Sequence, residues 1–248
     1  MIDLDVLVLA AGRSERIQSI AKGLPKPLLK VGERSVLEQN LMHLAKQGIR
    51  QAWINVHYKP QAIYETIRDG AHLGLTVRYS MEPEILGTAG AARYLLSHWR
   101  RKLLVVYGDS LISFDLQRLL DVHRESDALV TIGSFDRRIS AHTGIAGGRV
   151  TVNYERRITA FHEGGDQGGS DGGLVNAGLY LIEREILARI PPDSLLDFAR
   201  DLFPALIAEG LPLYAYVFGP EEFCLGIDTP EHFSAAQILF KTRAITLQ

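Results

Sequence analysis

Two basic side chains and two carboxylates follow short apolar runs in this chain, and together they have the makings of a phosphate site. Val6–Leu9 is one such run; it opens into Ala10, Ala11 and Gly12, then into Arg13, Ser14, Glu15 and Arg16, with Lys26 further on between two prolines. A small-residue turn at a strand end offers backbone N–H groups to an anion, and small side chains let the backbone approach closely. The arginines and lysine add charge. Asp109 follows the run Leu103–Tyr107, Asp228 follows Phe223–Ile227, and the turn Gly87-Thr88-Ala89-Gly90 comes after Leu75–Tyr79. Open α/β sheets bind ligands at the carboxyl ends of their strands. Phosphates with a divalent cation need this mixture: cations and N–H groups on the phosphate oxygens, hard oxygen ligands on Mg2+.

Taken singly, each feature has a plainer reading. A small-residue turn opens many βα units that bind nothing. Arg16 and Lys26 could be solvated loop charges. Asp109 could form an Asx turn or a helix N-cap, and Asp228, before Thr229-Pro230, could cap the last helix. Asn176 could be a satisfied polar group inside a strand. The histidines, His57, His98 and His123 among them, have no ligand spacing, and with Cys224 the only cysteine they form no zinc pattern.

The elements that must position these residues alternate. Ser35-Val36-Leu37-Glu38 is a capping box; the helix it starts carries Leu37, Leu41 and Leu44 on one face and stops at Gly48. Gln51–Val56 reads as a strand, Pro60 as an early helical residue, Leu75–Tyr79 as a strand, and Thr88–Trp99 as a helix. Leu103–Tyr107 is the most apolar strand and should be central, covered on both faces. A helix over Phe114–Arg124 and a strand over Ala128–Ser134 follow. Repeated βα units predict a doubly wound, mostly parallel, Rossmann-like sheet. The rhythm then changes. Arg149–Tyr154 and Arg157–His162 read as paired strands, residues 164–173 as a glycine-rich mobile loop, Leu174–Ile182 as a strand, and Pro230 as the start of a final helix. With no repeat and no linker, one domain over residues 1–248 is expected. It divides into a part over about residues 1–143, which holds the small-residue turn, and a small antiparallel, substrate-facing subregion over about residues 144–248.

Composition narrows the function. A net charge of −2 over 248 residues argues against general binding to nucleic acid or membrane, and no apolar run reaches a membrane span. The acidic start, MIDLD, lacks the basic region of a secretory signal, so a cytoplasmic protein is expected.

The motifs resemble, in order and over nearly the whole chain, those of sugar-1-phosphate nucleotidyltransferases. LAAGRSERI followed by PKPLLKV is similar to that family's L-A-G-G-x-G-T-R-L and P-K-P signature. EPEILGTAGAA, VVYGDSL, ITAFHEGG, VNAGLYLI and GIDTPEHF continue it. The resemblance implies a GT-A-like nucleotidyltransferase fold and a Mg2+-dependent enzyme acting on a nucleoside triphosphate and a sugar 1-phosphate, with a homodimer as one expectation. It implies that Arg16 binds the nucleotide phosphates and that Lys26 bridges nucleotide and sugar phosphates. It places Asp109 and Asp228 on the metal, with Asp109 also catalytic. Leu9, Ala10, Ala11, Gly12 and Arg13 would contact base and ribose, and Glu82, Gly87 and Thr88 fall in the segment that reads the base. Gly144, Glu163 and Asn176 fall where the family holds the sugar.

Two departures bear on substrate. Ser14 and Glu15 replace the signature's Gly-Thr, putting a negative charge near phosphate, and Gly164 stands where many thymidylyl members have lysine. The set GDS, F-H-E-G, V-N-A-G-L-Y and Asp201-Leu202-Phe203-Pro204 looks most like guanylyltransferases acting on heptose or mannose 1-phosphate. Guanine also presents an N–H edge that a carboxylate such as Glu82 could accept. Uridylyl or thymidylyl transfer is the alternative, then cytidylyl transfer to a non-sugar alcohol phosphate, and, as a non-enzyme, a nucleotide-sugar-binding regulator.

Overall fold

In a computed structural model, the residues described are 4–13, 15–100, 102–143, 148–162 and 173–242. The expected glycine-rich loop lies almost wholly outside them. The strands are β1 (Asp5–Leu9), β2 (Lys30–Val31), β3 (Arg34–Ser35), β4 (Gln51–Val56), β5 (Thr76–Met81), β6 (Lys102–Tyr107), β7 (Ser110–Ser113), β8 (Val130–Asp136), β9 (Ala141–His142), β10 (Arg149–Val152), β11 (Ile158–His162), β12 (Leu174–Glu183), β13 (Leu213–Val217) and β14 (Phe223–Gly226). The helices are α1 (Gln18–Ala21), α2 (Val36–Lys46), α3 (Pro60–Ile67), α4 (Gly87–Tyr94), α5 (Leu116–Glu125), α6 (Arg184–Ala188), α7 (Phe203–Ala208) and α8 (Pro230–Lys241).

The main sheet runs β11-β10-β12-β6-β1-β4-β5, with β8 beside β12 and β13 beside β8. From β6 to β5 it is parallel, as the βα rhythm requires; β12 then pairs antiparallel with β6. Strands β1 and β6 are buried on both faces. Val6, Val8, Leu104 and Val106 belong to one apolar cluster, and Leu7, Leu9, Leu103 and Val105 to the other. This explains why β6 reads as a continuous apolar run with no alternation. The expected pairing of β10 with β11 is antiparallel, with a bulge after Thr151.

A second sheet, β7-β14-β9, lies off the main one. Nothing in the sequence marks β7, because two of its four residues are serines that look like loop; Ser110 and Ser113 are nonetheless buried. The third apolar cluster joins this sheet to the segment after β1, packing Ile17, Leu29, Leu111, Leu225 and Ile227 together. Each of those residues is a near neighbour in sequence of one of the four charged candidates. Burying the apolar neighbours brings the charged ones to one place.

Candidate active site

Lys26 is the centre of the site. Its Nζ donates to Asp109 Oδ2 at 2.8 Å and to Asp228 Oδ1 at 2.6 Å. Arg16 Nη2 reaches the same Asp228 oxygen at 3.3 Å. The Lys26 side chain is only 7% exposed, whereas Arg16 is 66% exposed at the rim.

Local sequence accounts for each placement. Pro25 and Pro27 flank Lys26, and a 3-10 turn, Lys26–Leu28, closes with Leu29 N–H donating to the Lys26 carbonyl at 3.0 Å. Asp109 follows Gly108, whose N–H donates to Leu9 O at 2.9 Å; a Cβ at Gly108 would stand 2.9 Å from that oxygen, so the close approach needs glycine. The aspartates meet because β7 and β14 are antiparallel with Ser110 opposite Gly226, so Asp109, just before β7, and Ile227 and Asp228, just after β14, lie at the same end of the pair. Asp228 does not cap the last helix: Thr229 is its N-cap, accepting from His232 N–H at 3.2 Å. Asp109 caps no helix either, since β7 follows it.

Burial opposes charge on Lys26, but the fields and hydrogen bonds of Asp109 and Asp228 together outweigh it and raise the ammonium's pKa. The ammonium is therefore held protonated at neutral pH. The cavity beside it, about 450 Å3, is lined by Leu9, Ala10, Gly12, Arg13, Arg16, Lys26, Asp109 and Asp228 among others. Ala11 is buried next to these.

Other expected residues lie apart. Glu82 is 2% exposed, and its two oxygens take Asn55 Nδ2–H at 2.7 Å and Leu86 N–H at 3.2 Å. Burial pushes its carboxyl pKa up, against these hydrogen bonds. Gly87 has φ +75°, and a Cβ there would meet Leu196 O at 2.4 Å, so it seats α4 against the Leu196 segment. Thr88 Oγ1 donates to Asp197 Oδ2 at 2.7 Å and accepts from Phe198 N–H at 2.9 Å. Asn176 donates to the Tyr180 hydroxyl at 2.8 Å and accepts from Gly178 N–H at 3.0 Å, in the bulged stretch of β12. Gly144 and Glu163 lie outside the described residues. Sequence reasoning missed Asn55 and Asp197. The signal for Asn55 was an amide between Ile54 and Val56, in a strand that is apolar elsewhere after Gln51.

Among the described residues no cluster of three carboxylate, histidine or cysteine ligands exists. Two carboxylates on one lysine nitrogen nevertheless fit a hard cation that keeps water and phosphate oxygens as its other ligands.

Residues 5–221 match the Nucleotidyl transferase family, and the chain belongs to it. Among its relatives are the mannose-1-phosphate guanylyltransferase of Mycobacterium tuberculosis (32% identity; 93% of this chain, 62% of the relative) and the D-glycero-alpha-D-manno-heptose 1-phosphate guanylyltransferase of Campylobacter jejuni (32%; 93% and 97%). The UTP--glucose-1-phosphate uridylyltransferase of Synechocystis is 30% identical over 86% of this chain and 57% of the relative. The chain thus spans about three fifths of the first and third of these, and nearly all of the Campylobacter protein. The crystal structure of HddC from Yersinia pseudotuberculosis shares the fold, with a TM-score of 0.79 at 23% identity, covering 95% of this chain and 99% of that one. No helix among the described residues is long and apolar enough to cross a membrane.

Proposed function

We propose that this chain transfers the nucleotidyl group of a nucleoside triphosphate to a sugar 1-phosphate, releasing pyrophosphate, and that its substrates are GTP and a heptose or mannose 1-phosphate. The observation that carries the class is Lys26, buried and charged between Asp109 and Asp228 on the wall of a cavity that Arg16 rims. The guanylyl assignment draws on the two guanylyltransferase relatives and on the resemblance of the motif set.

The chemistry follows from charge. A sugar 1-phosphate is largely dianionic near pH 7, because its second pKa is about 6. It needs no strong base to attack the α-phosphorus. The P–O bond to pyrophosphate breaks as the new P–O bond forms. The barrier is repulsion between anions and their alignment. Lys26, at the inner wall, offsets charge where the two phosphates approach, and Arg16, at the rim, binds the triphosphate. Asp109 and Asp228 are the residues that would hold Mg2+, which supplies further charge neutralisation when bound.

Pyrophosphate release measured with five nucleoside triphosphates against a panel of sugar 1-phosphates tests this. The expected result is Mg2+-dependent release with GTP and mannose or heptose 1-phosphate. Release only with UTP and glucose 1-phosphate would move the assignment to the second reading, which the Synechocystis relative favours. No release from any pair would reject the class.

A further inference from the structure

The turn after β1, which lines the charged cavity, is joined to β4 and to the stretch between β5 and α4 by one line of hydrogen bonds. Ala10 N–H, in the turn after β1, donates to Asn55 Oδ1 at 2.8 Å. Asn55 Nδ2 donates to Glu82 Oε1 at 2.7 Å, and Leu86 N–H, just before α4, donates to Glu82 Oε2 at 3.2 Å. Strand register puts Asn55 beside Leu9 on β1 and beside Ser80 on β5, so the amide bridges both neighbours of β4. Asn55 is 3% exposed and Glu82 2%.

The direction of the line is fixed. A backbone N–H can only donate, so Asn55 must turn its oxygen to Ala10 and its nitrogen to Glu82. Glu82 then receives two donors, which a carboxylate can do and a glutamine cannot, since its nitrogen would face an N–H. Burial makes any unmatched group in the line costly.

We propose that Asn55 is a positioning residue for nucleotide binding, locking the Leu9–Gly12 turn to the buried Glu82 carboxylate so that the turn is held in place before the nucleotide arrives. This rests on the nucleotidyl-transfer reading of the cavity, but it concerns binding and can be measured without turnover. Holding a loop in its bound form removes an ordering cost from association.

The swap of the two residues tests it. Asn55→Asp opposes a carboxylate to a carboxylate, and Glu82→Gln opposes a donor to a donor. In the double variant Asn55→Asp/Glu82→Gln the middle bond runs the other way. The amide nitrogen now carried on β5's side would donate to the carboxylate now carried on β4, Ala10 and Leu86 would each keep an acceptor, and no group is left unmatched. GTP and UTP are titrated calorimetrically against the wild type, and the tighter is followed in the variants, beside thermal unfolding of each. Each single variant should bind about tenfold more weakly, the worth of one unmatched buried group. The double variant should return to within about threefold of wild type. Single variants that melt earlier yet bind nucleotide as tightly as wild type would overturn the proposal, leaving a role in stability alone. A double variant as weak as the singles would also overturn it, because Glu82 would then touch the nucleotide itself. Wild type that binds neither nucleotide would sink both readings. Tight binding without pyrophosphate release would sink only the enzymatic one.

Discussion

At the scale of single residues, exposure separates what a charge does for folding from what it does for a ligand. Arg16 and Lys26 both reach Asp228, but Arg16 is 66% exposed and Lys26 is 7% exposed. An exposed ion pair is worth under about 1 kcal/mol, so Arg16→Ala should leave the urea midpoint nearly unchanged while lowering turnover by about 10²–10³. Lys26→Ala differs, because it leaves two carboxylates facing each other. Breaking a fully buried pair costs about 3–5 kcal/mol, and with Asp109 37% exposed the loss should be smaller, about 2–3 kcal/mol. Turnover should fall by at least about 10³. Urea unfolding and pyrophosphate release on the two variants check both halves; near-normal turnover in Lys26→Ala would remove Lys26 from the chemistry. The charged four were legible because each follows an apolar strand in a motif. Asn55 was not, because a single amide near the end of a strand looks the same whether it holds a loop or only satisfies itself.

At the scale of elements, local chemistry predicted local structure well. The capping box at Ser35 forms as read, with Ser35 N–H donating to Glu38 Oε2 at 2.8 Å and Glu38 N–H to Ser35 Oγ at 3.2 Å, and the strand over Gln51–Val56 has the expected ends. Strand direction in the second half was not legible. Strands β8 and β12 are buried almost throughout, so nothing in their side chains records a parallel or antiparallel neighbour. The seam between α5 and those strands carries His123, 2% exposed, with Nδ1 2.8 Å from Thr131 Oγ1 and Nε2 3.2 Å from Glu183 Oε1. Burial lowers its pKa, which the Glu183 hydrogen bond opposes only in part. An imidazole held neutral in the fold but free to protonate near pH 6.5 in the unfolded chain contributes stability above that pH and loses it as pH falls. Urea midpoints of wild type should therefore drop more between pH 7.5 and 5.5 than those of His123→Gln, whose amide can still reach both partners. Equal drops would mean that His123 is not the titrating group.

At the scale of the molecule, the site exists only because distant stretches of chain are folded together: Lys26 is 83 residues from Asp109 and 202 from Asp228. Lys26 sits in the segment after β1, Asp109 just before β7 and Asp228 just after β14, and the small apolar cluster of Ile17, Leu111, Leu225 and Ile227 joins all three. A ligand that bridges them binds the folded chain and not the unfolded one, so it must stabilise the whole domain by mass action, about 2.7 kcal/mol at a hundred times its dissociation constant. In a chain of this length 1 kcal/mol shifts the melting temperature by about 2–4 °C, so saturating GTP with Mg2+ should raise it by roughly 5–10 °C. Chelating the metal should remove most of that rise if Asp109 and Asp228 hold it. Asp109→Asn makes the argument specific. Lys26 keeps Asp228 as its partner, so the unliganded protein should melt near the wild-type temperature, yet the Mg2+-dependent part of the rise should vanish. A full rise in that variant, still abolished by chelator, would place the metal elsewhere in the molecule and would detach the paired aspartates from the role their geometry suggests.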